Sequence, residues 1–195
     1  MADRSRYSTT ISFIDFLFNL VITLTALFLL SILLINPPRK ETTQKREAEY
    51  FIVIKWQDYN NNDVDLWVTD GNTTVNFITR QQTNMSLDRD DLGPDDSMTR
   101  THFLPQNEEI VTIRSKQRNV YTANIHLYNM RDKVNIPMVA WALINARTNK
   151  IVATGAKVLQ FPGQEATLFR VYINGSGEVD MIDKEIDYPF VNGRK

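Results

Sequence analysis

The chain has no cysteine, seven glycines, seven prolines and two histidines in 195 residues. Without cysteine there are no disulfides, no thiol nucleophile and no zinc site built on thiolate. The glycines are few and scattered over turns, so no Gly-rich loop is available to cradle a phosphate. His102 and His126 stand in no metal-ligand spacing, and no nucleophile-elbow pattern occurs. These absences together point away from an enzyme. An excess of one charge is also missing. The formal net charge of -1 argues against a nucleic-acid binder that works by bulk electrostatics.

The mean hydropathy of -0.30 has the look of a soluble chain, but it averages two unlike parts. Residues 11–35 read ISFIDFLFNLVITLTALFLLSILLI, with Asp15 the one charge in the run. As a helix this stretch is about 37 Å long at 1.5 Å per residue. That length crosses a hydrocarbon core of roughly 30 Å. Pro37-Pro38 stop the helix, and Arg39 and Lys40 follow at the expected water interface. A secretory signal would have a shorter apolar stretch followed by small residues at a cleavage site. An uncleaved single span over 11–35 is therefore predicted, with residues 1–10 as a short N-terminal segment. The basic residues do not fix its direction. Arg4 and Arg6 precede the span, whereas Arg39, Lys40, Lys45 and Arg46 follow it beside Glu41 and Glu47. That count weakly favours a cytoplasmic C-terminal side, but large domains are translocated largely regardless of such charges.

Polar residues inside the run are the most informative feature. Ser12, Asp15, Asn19 and Thr23 are spaced three, four and four apart, which sets them on one helical stripe. A carboxylate in lipid costs at least about 2.5–3.5 kcal/mol near the bilayer centre, so it usually faces protein or water and marks an ion path. The plainer reading is that Asp15, about one turn inside the run, snorkels to the headgroups.

The segment Ser12-Phe13-Ile14-Asp15-Phe16-Leu17, followed by a long aliphatic helix, resembles the start of the ExbD/TolR group. The flagellar stator protein MotB has a related arrangement. The resemblance covers roughly residues 8–38, and Ser12 stands where that group often has proline. It implies a homodimer whose helices sit inside a pentamer of an ExbB/TolQ/MotA-like polytopic membrane protein. Asp15 would take up and release the coupling ion, a proton or sodium, and ion flow would drive rotation. Ser12, Asn19 and Thr23 would support the ion path. By the same resemblance the protein lies in a bacterial inner membrane. Its N-terminus is cytoplasmic and its large domain periplasmic, with a target that the resemblance does not name. No OmpA-like peptidoglycan-binding signature and no small ExbD-type domain follows.

Residues 36–49 are polar and charge-rich, and read as a linker with room for a helix in its second half. Beyond Tyr50 short β-branched and aromatic runs alternate with turn clusters such as Asn60-Asn61-Asn62 and Asp70-Gly71-Asn72. Strands are predicted over 50–56, 64–69, 74–79, 109–115, 120–129, 137–145, 151–159 and 167–173. This pattern, over 50–195, reads as an all-β domain, an antiparallel β-sandwich. Trp56, Trp67, Trp141, Phe77, Phe169 and Tyr172 are its expected core aromatics. The acidic stretch 178–187, ending in Tyr188-Pro189-Phe190, fits a last strand with a loose end, or a contact for a partner. The run Asp63 to Gly71, with its Asp-Leu-Trp-Val, is similar to a strand–turn signature of bacterial β-sandwich domains of uncharacterised role.

Asp63, Asp65, Asp70, Asp88 and Asp90, with Asp91, Asp95 and Asp96, are oxygen donors suited to calcium. The EF-hand spacing fails. Counted from Asp58, the sixth position is Asp63 instead of Gly and the twelfth is Thr69 instead of Glu. A loop-built calcium site and a solvated, turn-forming face both remain open. Two functional readings follow. One is the ion-driven motor subunit, and the other is a membrane-anchored binding module whose helix is only a tether.

Overall fold

A computed structural model describes residues 4–35, 47–91 and 106–191, with the helix side chains described over Ile11–Ile32. Helix α1 runs Arg4–Ile35, seven residues earlier than the apolar run that marks it in the sequence. It ends two residues before Pro37, whose ring and missing N–H forbid continuation. Every described side chain of Ile11–Ile32 is exposed, large apolar ones such as Phe13, Phe16 and Phe28 included. Among the described residues this is the one helix long and apolar enough to cross a membrane. Residues 47–49 are not helical, and the rest of the linker's second half lies outside the described residues apart from them.

The β-domain is a separate unit, with ten strands among the described residues. They are β1 Tyr50–Lys55, β2 Asp63–Thr69, β3 Thr74–Val75, β4 Met85–Arg89, β5 Glu108–Ile113, β6 Asn119–Asn129, β7 Met138–Asn145, β8 Lys150–Val158, β9 Glu165–Ile173 and β10 Val179–Asp183. All pair antiparallel in two five-stranded sheets, ordered β4-β5-β1-β7-β8 and β10-β9-β6-β2-β3.

The predicted strand over 74–79 stops at Val75 because Asn76 turns the chain. Its Oδ1 accepts the N–H groups of Ile78 at 2.9 Å and Thr79 at 2.7 Å. Strands β4 and β10 are additional. Both are edge strands, and both carry polar residues where a buried strand would be apolar.

Side-chain alternation builds the core. Tyr50, Ile52 and Ile54 of β1 and Val64, Leu66 and Val68 of β2 point inward and join one apolar cluster fed by both sheets. Trp141 of β7 lies 4.6 Å from Phe169 of β9, ring centre to ring centre. The Tyr50 hydroxyl donates to the Gly177 carbonyl at 2.9 Å. Gly155 on β8 is there because a Cβ would lie 2.7 Å from the Trp141 ring. Trp56, Trp141 and Phe169 are core residues as expected. Trp67, Phe77 and Tyr172 are not. Each is half-buried, because Trp67 and Tyr172 alternate out of phase with their core-facing neighbours, and Phe77 lies past the Asn76 turn.

Candidate functional site

Two regions gather polar chemistry, one on each unit. On α1 the four residues of the stripe fall on successive turns, and Asp15, Asn19 and Thr23 are all exposed. Thr23 donates its hydroxyl to the Asn19 carbonyl at 2.8 Å, and Thr25 does the same to Val21 at 2.8 Å. Their protons are thereby satisfied within the helix, which is how hydroxyl side chains are accommodated in an apolar setting. The Asp15 carboxyl is left as the one ionisable group along Ile11–Ile32.

On the β-domain, acidic side chains of β2 and of the facing strand β5 lie near enough to perturb one another. Glu109 is 1% exposed, in phase with the core residues Val111 and Ile113. Its Oε2 accepts the Leu66 N–H at 2.6 Å, on the edge of β2 that β6 leaves free. Burial holds the Glu109 carboxyl well above its ordinary range. The Leu66 N–H opposes this, and the Asp65 and Asp90 carboxylates add to it. Asp63 is raised to about 6, first by burial and then by Asp65, with Arg131 opposing. Asp65 is raised by burial, against the N–H groups of His126 and Trp67.

The five calcium candidates do not converge. Asp63 and Asp65 lie on β2, facing away from the core. Asp90 pairs with Arg80 at 3.2 Å. Asp70 closes the β2–β3 turn, accepting the N–H groups of Asn72 at 3.0 Å and Thr73 at 2.7 Å. Asp88 accepts Thr112 Oγ1 at 2.5 Å and Ser86 Oγ at 2.6 Å, and pairs with Arg114 at 3.1 Å. Among the described residues, no group of three or more His, Asp or Glu side chains is placed to hold a metal ion. Asp95 and Asp96 lie outside the described residues.

A second polar row was not anticipated. Directly paired residues of an antiparallel sheet share a face, and Asp65 pairs with His126 while Trp67 pairs with Asn124. Asp65 Oδ2 and His126 Nδ1 are 3.7 Å apart. These two atoms, Trp67 Nε1 and Asn124 Oδ1 are buried, and the Asp65 carboxylate is the acid that the His126 and Trp67 N–H groups act on. The signal was present as alternation, since Asp63, Asp65 and Trp67 are out of phase with Val64, Leu66 and Val68. What the pattern lacks is any sign that the non-core face is itself covered.

No family model, no curated protein and no solved structure matches this chain.

Proposed function

We propose that this chain is the single-span subunit of a proton- or sodium-driven membrane motor. In this reading α1 crosses a bacterial inner membrane with its N-terminus in the cytoplasm. Two copies pair through their helices inside a pentameric multi-span partner. The two sheets close as a β-sandwich outside the membrane and act on a target there. One observation carries the proposal. Asp15 is the one ionisable side chain along a 22-residue apolar helix, and it shares a polar stripe with Ser12, Asn19 and Thr23. A carboxylate so placed costs several kcal/mol unless it faces protein or water. Loading it with a cation removes the charge. A neutral Asp15 tolerates a dry partner surface and an ionised one requires a polar surface, so alternate loading from two sides biases relative motion.

Asp15→Asn preserves size and removes the charge. The measurement is ion flux in proteoliposomes holding the chain with a co-purifying multi-span partner, together with the subunit ratio by native mass spectrometry. Flux is expected to fall to background while assembly at two to five persists. Undiminished flux in the assembled Asn variant would reduce the helix to a tether and leave a membrane-anchored binding module.

A further inference from the structure

The two sheets present unlike outer faces. On the β10-β9-β6-β2-β3 sheet that face is polar, with Asp65 paired to His126, Trp67 to Asn124 and Thr122 to Arg170. On the β4-β5-β1-β7-β8 sheet it is apolar across neighbouring strands. Phe51 and Val53 of β1 are out of phase with the core residues Ile52 and Ile54. Phe51 pairs with Ile144 of β7 and Val53 with Ala142, so all four share the outer face. On β8 the face continues through Thr154 opposite Ala142, Ala156 opposite Ala140 and Val158 opposite Met138. On the other side Ile110 of β5 lies opposite Val53.

A strand covered on one face alternates, whereas a strand covered on both reads as a continuous apolar run. Strands β1 and β7 are of the second kind. Phe51 to Ile54 and Met138 to Ile144 contain no charged, hydroxyl or amide side chain. Yet the face is open. Met138 is 53% exposed and Val158 47%, and Ala140, Thr154 and Ala156 are exposed beside them. Single apolar residues on a surface are ordinary, but a contiguous apolar face marks an interaction site.

Its extent suits another sheet. Strands β5, β1, β7 and β8 span about 19 Å at about 4.8 Å per strand, and seven residues along them span about 23 Å. Two such faces remove roughly 900 Å² in plan, and side-chain relief lifts the accessible area above the roughly 1,000 Å² of a specific interface. Ala140, Ala142, Thr154 and Ala156 form a low centre on β7 and β8, between larger residues at both ends. That centre lets a second sheet approach to the roughly 10 Å of stacked sheets. The occupant has to be flat, apolar and of matching dimensions. The same face on another copy of the chain meets all three conditions, and the polar outer face of the other sheet does not.

We propose that the outer face of the β4-β5-β1-β7-β8 sheet packs on the same face of a second copy, sheet on sheet. Two β-domains then share a four-sheet stack. The interface requires neither that Asp15 carry an ion nor that the helices pair.

The full chain has no cysteine, so single cysteines report position without background. Val53→Cys, Ala142→Cys and Ala156→Cys sample the face. Met181→Cys is the control, since Met181 is exposed and pairs with the half-buried Tyr172 on the other sheet. Each variant is treated in detergent with a bis-maleimide reaching about 10 Å, the separation of packed sheets. Protein is held at about 50 µM, above the micromolar Kd of the weakest interfaces of this size. At least one face cysteine is expected to give a covalent dimer, and Met181→Cys is not. Adding Thr154→Glu should cut that yield by about tenfold, because an unpaired carboxylate would be buried between the sheets. Ala140→Glu serves in its place if Thr154→Glu alters tryptophan emission. Equal yields at the face and at Met181 would mean that the copies are only tethered through their helices, and the proposal fails. It fails equally if no site cross-links, or if the face-selective yield survives a folded Glu variant. Each failure leaves the ion flux expected of Asp15 untouched.

Discussion

The Glu109 carboxylate accepts the Leu66 main-chain N–H at 2.6 Å and so ties β5 of one sheet to β2 of the other, where the two-residue β3 leaves β2 unpaired. An unpaired N–H on a sheet edge invites foreign strands, and here a buried acid occupies it. Burial and two neighbouring carboxylates keep that acid protonated beyond its ordinary range, with Asp90 positioned to accept its proton.

Glu109→Ala strands the Leu66 N–H and is expected to lower unfolding free energy by about 2–3 kcal/mol. Glu109→Gln keeps an acceptor for Leu66 and offers an amide N–H toward Asp90 where the protonated acid stood. It is expected to stay within about 0.5 kcal/mol of the parent. Urea titration of the full chain in detergent, followed by tryptophan fluorescence, compares the two. Equal losses in both variants would contradict this account.

Asp63 gives a pH signature. Its carboxyl is raised from 3.8 to about 6, chiefly by burial and next by Asp65. The folded state therefore keeps the proton over a range in which the unfolded state has lost it. Stability from this site is complete below 3.8 and is lost as pH rises through about 6. Asp63→Asn never ionises, so it should be more stable than the parent by roughly 1–2 kcal/mol near neutral pH. The gain should vanish near the unfolded value. Unfolding midpoints measured across that range test the sign, and a gain independent of pH would rule it out.

Gly155→Ala tests the packing of β8 on β7. The added methyl would lie 2.7 Å from the Trp141 ring, which is itself packed on Phe169. The ring cannot retreat without disturbing that stack, so a loss of about 1–3 kcal/mol is expected. A shifted tryptophan emission should accompany it. An unchanged melting temperature would show that the ring moves freely.

The parts of this protein that were legible in its sequence are those where one physical effect dominates. The apolar run of α1 is unmistakable because its polar residues are few and Asp15 is its one charge. Strand β1 shows through the unbroken apolar run Tyr50–Ile54, and β6 through Tyr121, Ala123, Ile125 and Leu127 alternating with Thr122, Asn124 and His126. The edge strands β4 and β10 do not, since each pairs on one side only and tolerates polar residues, whereas the edge strand β8 shows through its β-branched run. Trp67, expected in the core with the other large aromatics, falls in phase with Asp65 rather than Leu66. Glu109 lay inside a recognised strand, but a carboxylate at a core position is not anticipated without its distant partner Leu66. The polar row at Asp65 and His126 was hidden for a related reason. The rings beside it are Phe77 against Trp67 and Tyr128 against His126, and Phe77 comes from beyond the Asn76 turn.

The position of β1 has a mechanical consequence. It is the first strand after the linker, yet it occupies the middle of its sheet, and all six residues Tyr50–Lys55 are paired with both β5 and β7. Tension arriving along the chain before residue 50 is borne first by this strand. A pull along its axis loads the bonds on both flanks in shear, so they share the load instead of opening one after another. A peripheral first strand would peel. A load reaching residue 50 thus meets a strand held along its whole length on both sides.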